Sequence, residues 1–325
     1  MRLLTRDDIR KLISMREVIE LMKTLFCEVG KGNVVIPDRT MIDLNNGRDA
    51  ILFMPGFVTK SRSIGVKVVS VFPENISTKI PTTNATVLLN DPDTGKVISM
   101  LEGGYITSVR TGAVSAVATE LLAVKDARKL GVFGSGVQAR TQIEAILEVR
   151  NIESVKIYDV NHESSNKLAL EFQSVKGNGC VFQPVESPDD LVTDSQVIVT
   201  ATTSETPVFD GNLLRDGTHI NSIGSFKPHV REVDDQTITR SKIFVDARSL
   251  SLKEGGDLII PLEKGLISKD DVQADLGELV LGKKKGRESA DEITFFKSVG
   301  MSVQDIVVAN AVYKKALDNN VGVEF

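Results

Sequence analysis

The sequence predicts a two-domain chain of the α/β class, and three observations carry that prediction. From Lys129 onwards, short apolar strands alternate with helical stretches, which is typical of a parallel sheet wrapped by helices. Residues from about 35 to 105 are instead rich in strand-type segments. A closing amphipathic helix that begins at Ser302-Val303-Gln304-Asp305 has the length to return to the first domain. We therefore expect an α/β second domain and a discontinuous α+β first domain.

The composition bounds the size of the core and excludes several classes of function. The chain has 325 residues, 41% hydrophobic and 26% charged, which is enough for one large or two medium domains. Its net charge of −5 does not suit non-specific binding of nucleic acid, which needs a basic surface. The sequence predicts no membrane span, and the charges that follow Met1 do not suit a signal peptide. Cys27 and Cys180 match no metal spacing and are expected as free thiols, so we expect a cytoplasmic protein.

The first domain is predicted from a helix cap, apolar strands and one turn. Ser14-Met15-Arg16-Glu17 is a capping box, and the helix that it opens is expected to end near Gly30. Gly65-Val66-Lys67-Val68-Val69 is a β-type run, and residues 85–89 form another. Residues 90–95 have the composition of a hairpin turn.

The second domain is predicted as an ordered series of strands and helices. The expected strands are residues 130–133, 155–158, 197–200, 219–223 and 243–245. The expected helices are residues 137–149 and 164–175. Such alternation favours parallel strands joined by helical crossovers.

The sharpest motif is Gly134-Ser135-Gly136-Val137-Gln138-Ala139, between a predicted strand and an amphipathic helix. This context is the one that the G-x-G-x-x-G/A dinucleotide fingerprint requires, so we predict a Rossmann domain. Gly134 would make the tight turn, Gly136 would let main-chain amides approach a pyrophosphate, and Ala139 would let helix and strand pack closely. The helix N-terminus adds partial positive charge beside the phosphates. The alternative is a glycine-rich turn that binds nothing.

Two further segments complete the dinucleotide site that we predict from the residues. Asp159 follows the second strand, where an acidic residue meets the ribose hydroxyls of the adenosine half. A carboxylate there repels a 2′-phosphate and no arginine follows it, so NAD(H) is expected to be preferred over NADP(H). The alternative role of Asp159 is to cap the next helix. The small residues of Thr200-Ala201-Thr202 would let the cofactor lie close to the main chain.

Three basic residues of the first domain are candidates for binding a substrate anion. Arg110 is expected at the start of a helix, where its planar fork and the helix dipole would both favour a carboxylate. Lys67 lies in an apolar strand, and strand alternation can aim it into a cleft, where a desolvated lysine binds an anion or moves a proton. Arg39 is a less specific candidate. Each of the three, taken alone, also fits a salt-bridged structural residue.

Over nearly its whole length the chain resembles the ornithine cyclodeaminase/μ-crystallin family. The segments that carry the resemblance are Met54-Pro55-Gly56, Gly65-Val66-Lys67-Val68-Val69, Ser108-Val109-Arg110-Thr111-Gly112-Ala113, the glycine motif at 134–139, Val199-Thr200-Ala201-Thr202, Asn221-Ser222-Ile223-Gly224-Ser225, Gly286-Arg287-Glu288 and Phe296-Lys297-Ser298-Val299-Gly300. The resemblance implies a homodimer. Its first domain, residues 1–118 with 302–325, would pair across a two-fold axis, and residues 119–301 would form the Rossmann domain.

The resemblance also implies the site residues. Lys67, Arg39 and Arg110 would hold the carboxylate of a small imino or amino acid. Lys67 is the candidate proton donor, and bound water is its rival. The predicted cofactor-binding residues are Thr82, Arg110, Gly134, Ser135, Gly136, Val137, Gln138, Ala139, Asp159, Thr200, Ala201, Thr202, Ser225, Val299 and Gly300.

Two departures from the family pattern bear on the chemistry. Ornithine cyclodeaminases and archaeal-type alanine dehydrogenases resemble one another in an acid/base aspartate after the fifth strand, where this chain has Phe226. Cyclodeaminases also tend to have an acidic residue before Leu-Met-Pro, and Leu52-Phe53-Met54-Pro55 provides none. Gly224-Ser225-Phe226-Lys227-Pro228 is similar instead to the cyclic ketimine reductases, notably those of Δ1-pyrroline-2-carboxylate. That likeness implies hydride transfer from a nicotinamide to C2 of a five- or six-membered ring.

Two alternatives to ketimine reduction remain at this point. One is an amino-acid-converting member of the family, either an ornithine cyclodeaminase or an alanine dehydrogenase. The other is a μ-crystallin-like protein that binds NAD(P)H without turnover. Of the three histidines, His162 is expected at a solvent-facing helix start and His219 in the core, while His229 lies in the loop after the fifth strand.

Overall fold

The computed structural model describes residues 1–45, 48–176 and 179–325, and the chain divides into two compact units. The first unit comprises Met1–Arg110 with Gly300–Phe325, and the second comprises Thr111–Val299. The α/β class that the sequence predicts is confirmed. The predicted domain limits at residues 118 and 302 stay a prediction.

The bounds of the elements follow in chain order. The first part of the first unit contains β1 (Arg2–Leu4), α1 (Arg6–Leu12), α2 (Met15–Gly30), β2 (Val34–Val35), β3 (Thr40–Leu44), β4 (Asp49–Val58), β5 (Ser63–Val71), β6 (Thr83–Asn90) and β7 (Val97–Glu102). Helix α3 (Gly103–Leu122) spans the division between the units. The second unit continues with β8 (Lys129–Phe133), α4 (Val137–Val149), β9 (Ser154–Tyr158), α5 (His162–Lys176), β10 (Val181–Pro184), α6 (Pro188–Asp194), β11 (Val197–Thr200), β12 (His219–Ser222), α7 (Asp235–Thr239), β13 (Ser241–Val245), α8 (Arg248–Glu254), α9 (Gly256–Glu263), β14 (Val272–Asp275), α10 (Leu276–Val280) and β15 (Ile293–Lys297). The chain ends in the first unit with α11 (Ser302–Asp318) and β16 (Val323–Glu324).

The first unit is built on one mixed sheet. Its strand order is β16-β1-β7-β6-β5-β4-β2, and β3 pairs with β4. Strands β4 to β7 pair antiparallel, whereas β1 runs parallel to β7. Helix α11 packs on β4, β5 and β6, as the predicted return of the last helix requires. The approach is closest at Gly56, where a Cβ would lie 2.7 Å from Ser302 Oγ.

The local sequence explains where α2, which packs beside α11, begins and ends. The Ser14 hydroxyl accepts from the Glu17 N–H, and the Glu17 carboxylate accepts from the Ser14 N–H at 2.9 Å, which is the predicted capping box. The helix then buries one apolar face and ends at Gly30, as expected. The buried apolar residues of that face are Val18, Ile19, Met22, Leu25 and Phe26. The predicted turn at 90–95 is also present, joining β6 to β7.

The second unit is an eight-stranded sheet with all pairings parallel, in the order β10-β9-β8-β11-β12-β15-β13-β14. Numbered within this unit, the first five strands of that order read 3-2-1-4-5, the order of the doubly wound dinucleotide fold. The strand order therefore reverses between β8 and β11. In such sheets the ligand binds outside the carboxyl ends of the strands at this reversal. A ligand site is therefore expected at the ends of β8, β9, β11 and β12.

The five strands predicted for the second unit are confirmed, and three others were not predicted. The missed strands are β10, β14 and β15. Strand β15 is a short, fully buried run, which periodicity alone does not distinguish from a helix. Strand β10 ends in proline and β14 in aspartate, two residue types that are uncommon in strands. Within the described residues no helix is long and apolar enough to cross a membrane.

Candidate active site

The glycine-rich turn of the second unit has the features of a phosphate-binding loop. Gly134 has φ +100°, a left-handed conformation that favours glycine. A Cβ at Gly134 would lie 2.5 Å from the carbonyl oxygen of Ala201, so the turn passes close beside the end of β11. Gly136 is the N-cap of α4, and no described side chain caps the helix or lies within 4 Å of where its Cβ would be. The first turn of α4 thus offers main-chain N–H groups to an anion.

The remaining residues of the motif fix how α4 packs on the sheet. Ala139 is fully buried, as predicted for the close approach of helix and strand. Val137 is exposed and Gln138 is half-buried. These positions fit the dinucleotide fingerprint, because the buried face of the helix begins at the small residue that replaces the third glycine.

Asp159 is held at the end of β9 by the glycine-rich turn itself. The Ser135 hydroxyl donates to Asp159 Oδ2 at 2.6 Å, and the Asn161 N–H donates to Oδ1 at 2.9 Å. The cap of α5 is Asn161, because its side-chain oxygen accepts from the Ser164 N–H at 3.2 Å. The alternative role of Asp159 as that helix cap is therefore wrong. Its carboxylate lies beside the predicted phosphate loop, the geometry that a ribose contact needs.

The ends of β11 and β12 are tied to buried carboxylates. Thr200 donates its hydroxyl to Glu232 Oε2 at 3.0 Å, and Thr202 donates its N–H and hydroxyl to Oε1 at 2.7 and 2.8 Å. The hydroxyl of Ser225, 3% exposed, donates to Asp257 Oδ2 at 2.6 Å. The hydroxyl groups of Thr200, Thr202 and Ser225 thus bind carboxylates within the protein, and any cofactor contact here falls mainly to the main chain.

In the first unit, a buried cluster gathers the predicted anion-binding residues. Lys67 of β5 is 2% exposed, on the side of the sheet that α11 covers. Its Nζ lies 2.8 Å from Asp305 Oδ2 on α11. The other oxygen, Oδ1, accepts from Arg110 Nε at 3.3 Å and from the Thr107 hydroxyl at 3.0 Å. Two buried cations therefore share one carboxylate, which leaves one positive charge in excess when Lys67 is protonated.

Arg110 does not lie at a helix start, so that part of the sequence argument is wrong. Helix α3 begins at Gly103, where the Glu102 carboxylate accepts two N–H groups of the first turn. The negative Glu102 carboxylate occupies the position where an anion would meet the helix dipole. Arg110, two turns further on, is instead oriented by α11, since it donates to Gln304 Oε1 at 2.6 Å and to Asp305.

The segment before α11 contacts the third basic residue, Arg39. Arg39 donates to the carbonyl oxygen of Gly300 at 3.0 Å. Gly300 has φ +80°, and a Cβ there would lie 2.7 Å from a guanidinium nitrogen of Arg110. Arg39, Lys67 and Arg110 thus all contact residues 300–305. Thr82, also predicted at the site, is half-buried just before β6.

Asp305 is the buried partner of Lys67 and Arg110 that the sequence argument missed. The sequence places it only at a helix start, where acidic residues commonly favour the dipole. One signal was available: Asp305 falls in the row of helix positions 301, 305, 308 and 312, whose other members are apolar. That row is fully buried.

Burial and the neighbouring charges shift the pKa of Lys67. Burial lowers the pKa of its ammonium from 10.5 to about 8; Asp305 opposes the shift, and Arg110 and Arg39 add to it. Burial alone would raise the pKa of Asp305, but Arg110 and Lys67 outweigh it and hold that pKa below its ordinary value. Lys67 therefore loses a proton near neutral pH far more easily than an exposed lysine, as a proton donor requires.

The histidines lie outside both groups of residues. His162 is exposed at the start of α5, as predicted. His219 is buried in β12, with Nδ1 3.0 Å from Thr294 Oγ1, and burial with the nearby Arg287 lowers its pKa to about 3. This is a core histidine, as predicted. His229 is exposed in the loop after β12. Within the described ranges, no three His, Cys, Asp or Glu side chains group as metal ligands.

A doubly wound dinucleotide fold in one unit and a buried basic cluster in the other define the class of protein. They are the parts of a dinucleotide-dependent oxidoreductase that acts on a small carboxylic acid. The comparisons with known proteins agree with that class. Residues 1–320 match the model of the ornithine cyclodeaminase/mu-crystallin family, and the chain belongs to that family.

Three relatives illustrate the match along the whole chain. A solved Δ1-pyrroline-2-carboxylate reductase of Thermococcus litoralis, in complex with NADH and L-proline, is 44% identical with a TM-score of 0.97, and 100% of each chain is covered. A Δ1-pyrroline-2-carboxylate reductase of Bacillus cereus is 38% identical over 323 residues, covering 99% of this chain and 98% of the relative. A solved archaeal alanine dehydrogenase dimer with bound NAD is 33% identical with a TM-score of 0.93, covering 100% and 98%.

Proposed function

We propose that this protein is an NADH-dependent reductase of Δ1-pyrroline-2-carboxylate, forming proline, with Δ1-piperideine-2-carboxylate as the second candidate ring. The observation that carries the proposal is the buried cluster of Lys67 and Arg110 on Asp305, close to Arg39. Relatives at 38% and 44% identity with this activity support it. The Ser225-Phe226 pair, in place of an acid/base aspartate, favours a substrate that already contains the C=N bond.

The basic cluster would bind the carboxylate of the ketimine. Arg110 offers the planar fork that pairs with two carboxylate oxygens, and Asp305 and Gln304 hold its guanidinium in place. Arg39 and Lys67 would add positive charge on the same segment. A substrate carboxylate would balance the excess positive charge that Lys67 and Arg110 leave on Asp305. Holding this end of a small ring fixes the position of C2 and the imine nitrogen next to it.

The reaction needs one hydride at C2 and one proton at nitrogen. A bound reduced nicotinamide supplies the hydride. Lys67 is the protein group that we propose to supply the proton, since its lowered pKa makes the ammonium a better acid. Asp305 would keep Nζ in a fixed position while the proton leaves.

The residues of the second unit fit a dinucleotide. The uncapped first turn of α4 would bind the pyrophosphate through main-chain N–H groups. Asp159, oriented by Ser135 and Asn161, would accept from the ribose hydroxyls. The absence of a basic side chain in Val160-Asn161-His162-Glu163 other than a histidine supports a preference for NADH over NADPH.

A substrate panel tests the proposed function. NADH oxidation is measured with each of the two cyclic ketimines, and the products are identified by mass spectrometry. We expect turnover of at least one ketimine to its cyclic amino acid. Ammonia release from ornithine, or NAD reduction by alanine, without turnover of either ketimine would contradict the proposal. So would tight NADH binding with no turnover of any substrate in the panel.

The pH dependence of kcat/KM tests the proton donor. Because the neutral form of Lys67 has no proton to give, the rate of reduction should fall as the pH rises through about 8, by about tenfold per pH unit at higher pH. Lys67→Arg removes the titrating group, so the remaining activity should lack this limb. Lys156→Arg, at a lysine of the second unit paired with Asp194, is the matched control and should keep it. An unchanged limb in Lys67→Arg would remove Lys67 from this role.

The coenzyme preference tests Asp159. Asp159→Ser removes the charge that repels a 2′-phosphate, so the ratio of kcat/KM for NADH to that for NADPH should fall by about tenfold. The control is Asp189→Ser, at an exposed acid of α6, which should leave the ratio unchanged. If the ratio in Asp159→Ser equals that of the wild type, Asp159 does not contact the ribose.

We further propose that the protein is a homodimer through the sheet face of the first unit that faces away from α11. That face carries the exposed apolar side chains of Ile42, Phe53 and Met100, which a partner subunit would cover. Sedimentation should give twice 35.4 kDa. Phe53→Lys should shift the measured mass towards that of the monomer, whereas Leu170→Lys, at an exposed position of α5, should not. A wild-type monomer at micromolar concentration would contradict the dimer.

A further inference from the structure

A buried carboxylate joins the ends of two neighbouring strands in the second unit. Glu232 is 0% exposed, and its carboxylate accepts four hydrogen bonds. Oε1 accepts the Thr202 N–H and hydroxyl, while Oε2 accepts the Thr200 hydroxyl and, at 2.7 Å, the Gly224 N–H. Thr202 follows β11 and Gly224 follows β12, so a single side chain sets the spacing of the two segments that leave these parallel strands.

The segment after β12 is closed on itself by a second buried carboxylate. Asp257 Oδ1 accepts the main-chain N–H groups of Glu232 and Val233 at 2.7 and 3.1 Å. Asp257 Oδ2 accepts from the Ser225 hydroxyl and lies 2.7 Å from Lys297 Nζ. Lys297 in turn donates to Ser225 Oγ at 2.8 Å. Both ends of the segment from Gly224 to Val233 are thus fixed by charged groups that water does not reach.

The position of this network assigns it to one half of the dinucleotide. Asp159 and the strands β8, β9 and β10 form the half of the sheet that meets the adenosine. Strands β11 and β12 lie on the other side of the reversal in strand order, in the half that meets the second nucleotide. The two halves meet where Gly134 passes the carbonyl of Ala201. The main chain that Glu232 holds is therefore the part of the site for the nicotinamide mononucleotide.

We propose that Glu232 is a positioning residue for the nicotinamide half of the bound dinucleotide, acting through the main chain of residues 200–202 and 224–225. The inference rests on the proposed use of NADH. Glu232 need not touch the cofactor. Its four hydrogen bonds keep two chain segments at the spacing that a bound nicotinamide ring and its ribose require. Burial raises the pKa of Glu232, while Lys297 and the Thr202 donors oppose that rise.

Glu232→Gln is the most specific test of this role, because the amide has nearly the same shape as the carboxylate but only one accepting oxygen. In the wild type, Oε1 accepts the main-chain N–H of Thr202 and Oε2 accepts that of Gly224. The hydroxyls of Thr200 and Thr202 can rotate to accept from the new NH₂ group, but a main-chain N–H cannot. Whichever way the amide lies, one of the two chain segments loses its anchor.

The test compares two ligands by calorimetry: NADH, and ADP, which lacks both the nicotinamide ring and its ribose. In Glu232→Gln we expect the Kd of NADH to rise at least tenfold and that of ADP to change less than twofold. Glu278→Gln is the matched control, since it also removes a carboxylate that accepts a main-chain N–H in the second unit, at the cap of α10. It should change neither Kd, whatever it does to the melting temperature.

The measured affinities decide between a positioning role and a purely structural role of Glu232. Loss of affinity for NADH alone supports the positioning role. Equal loss for both ligands, or no loss for either, overturns it, because Glu232 would then serve only the stability of the unit or nothing at the site. If the wild type binds NADH but reduces no ketimine, the proposed function fails, while the ratio of the two affinities still decides the role of Glu232.

Discussion

Arg110→Met is expected to lower kcat/KM for Δ1-pyrroline-2-carboxylate by about 10³-fold, mostly through a higher KM. The arginine fork is the proposed anchor for the substrate carboxylate. Removing one partner of a desolvated charge pair costs about 3–5 kcal/mol of binding free energy. Arg110 is buried against Asp305 and Gln304, so the shorter, uncharged methionine leaves the substrate carboxylate one partner fewer in a poorly solvated place.

Two controls accompany the Arg110 variant. Arg62→Met removes an exposed ion pair with Asp93 in the same unit and should leave KM unchanged, since such pairs contribute only about 0–1 kcal/mol. Arg110→Lys keeps the charge but not the fork, and it should recover only part of the lost affinity. An Arg110→Met protein that is folded by circular dichroism and has the wild-type KM would contradict the proposed carboxylate site.

Asp305→Asn should have the second largest effect, a loss of about 10²-fold in kcat/KM, because it leaves Lys67 and Arg110 buried without their shared carboxylate. The sign of the pH effect is specific. Asp305 favours the charged form of Lys67, so its removal must lower the pKa of Lys67 further. The falling limb of kcat/KM should therefore move to a pH below 8.

A double-mutant comparison separates positioning by Asp305 from general stability. If Asp305 acts through Lys67, then Asp305→Asn should cost far less activity in a Lys67→Met background than in the wild type. A purely structural Asp305 would lower the melting temperature, leave the pH limb in place and give additive losses. Such additivity in folded proteins would contradict the role that we assign to it.

The second unit could be predicted well from the sequence because its signals are local. The glycine motif, the strand before it and the helix after it are contiguous, and each has its own pattern. Asp159 was placed for the same reason, since it directly follows a recognisable strand. Strand β15 was missed because a short, fully buried run carries no alternation, and pairing it with β12 and β13 requires contacts far apart in sequence.

The charged groups of the site show the limit of such reasoning. Lys67 and Arg110 could be picked out by residue type and by the family pattern. Their shared partner lies far along the chain, at a separation of 238 residues from Lys67, and sequence alone gives no measure of that proximity. Glu232 and Asp257 were missed likewise. A buried acid in a loop looks the same as a solvated one until the donors around it are known.

The most direct test of the proposed reduction follows the hydrogen itself. The protein is incubated with Δ1-pyrroline-2-carboxylate and NADH deuterated stereospecifically at C4 of the nicotinamide, and the proline formed is analysed by mass spectrometry and NMR. The account predicts that one of the two deuterated stereoisomers places a single deuterium at C2 of proline, one for each NADH oxidised. NADH oxidation that gives no deuterated proline with either stereoisomer, or no proline at all, would contradict it.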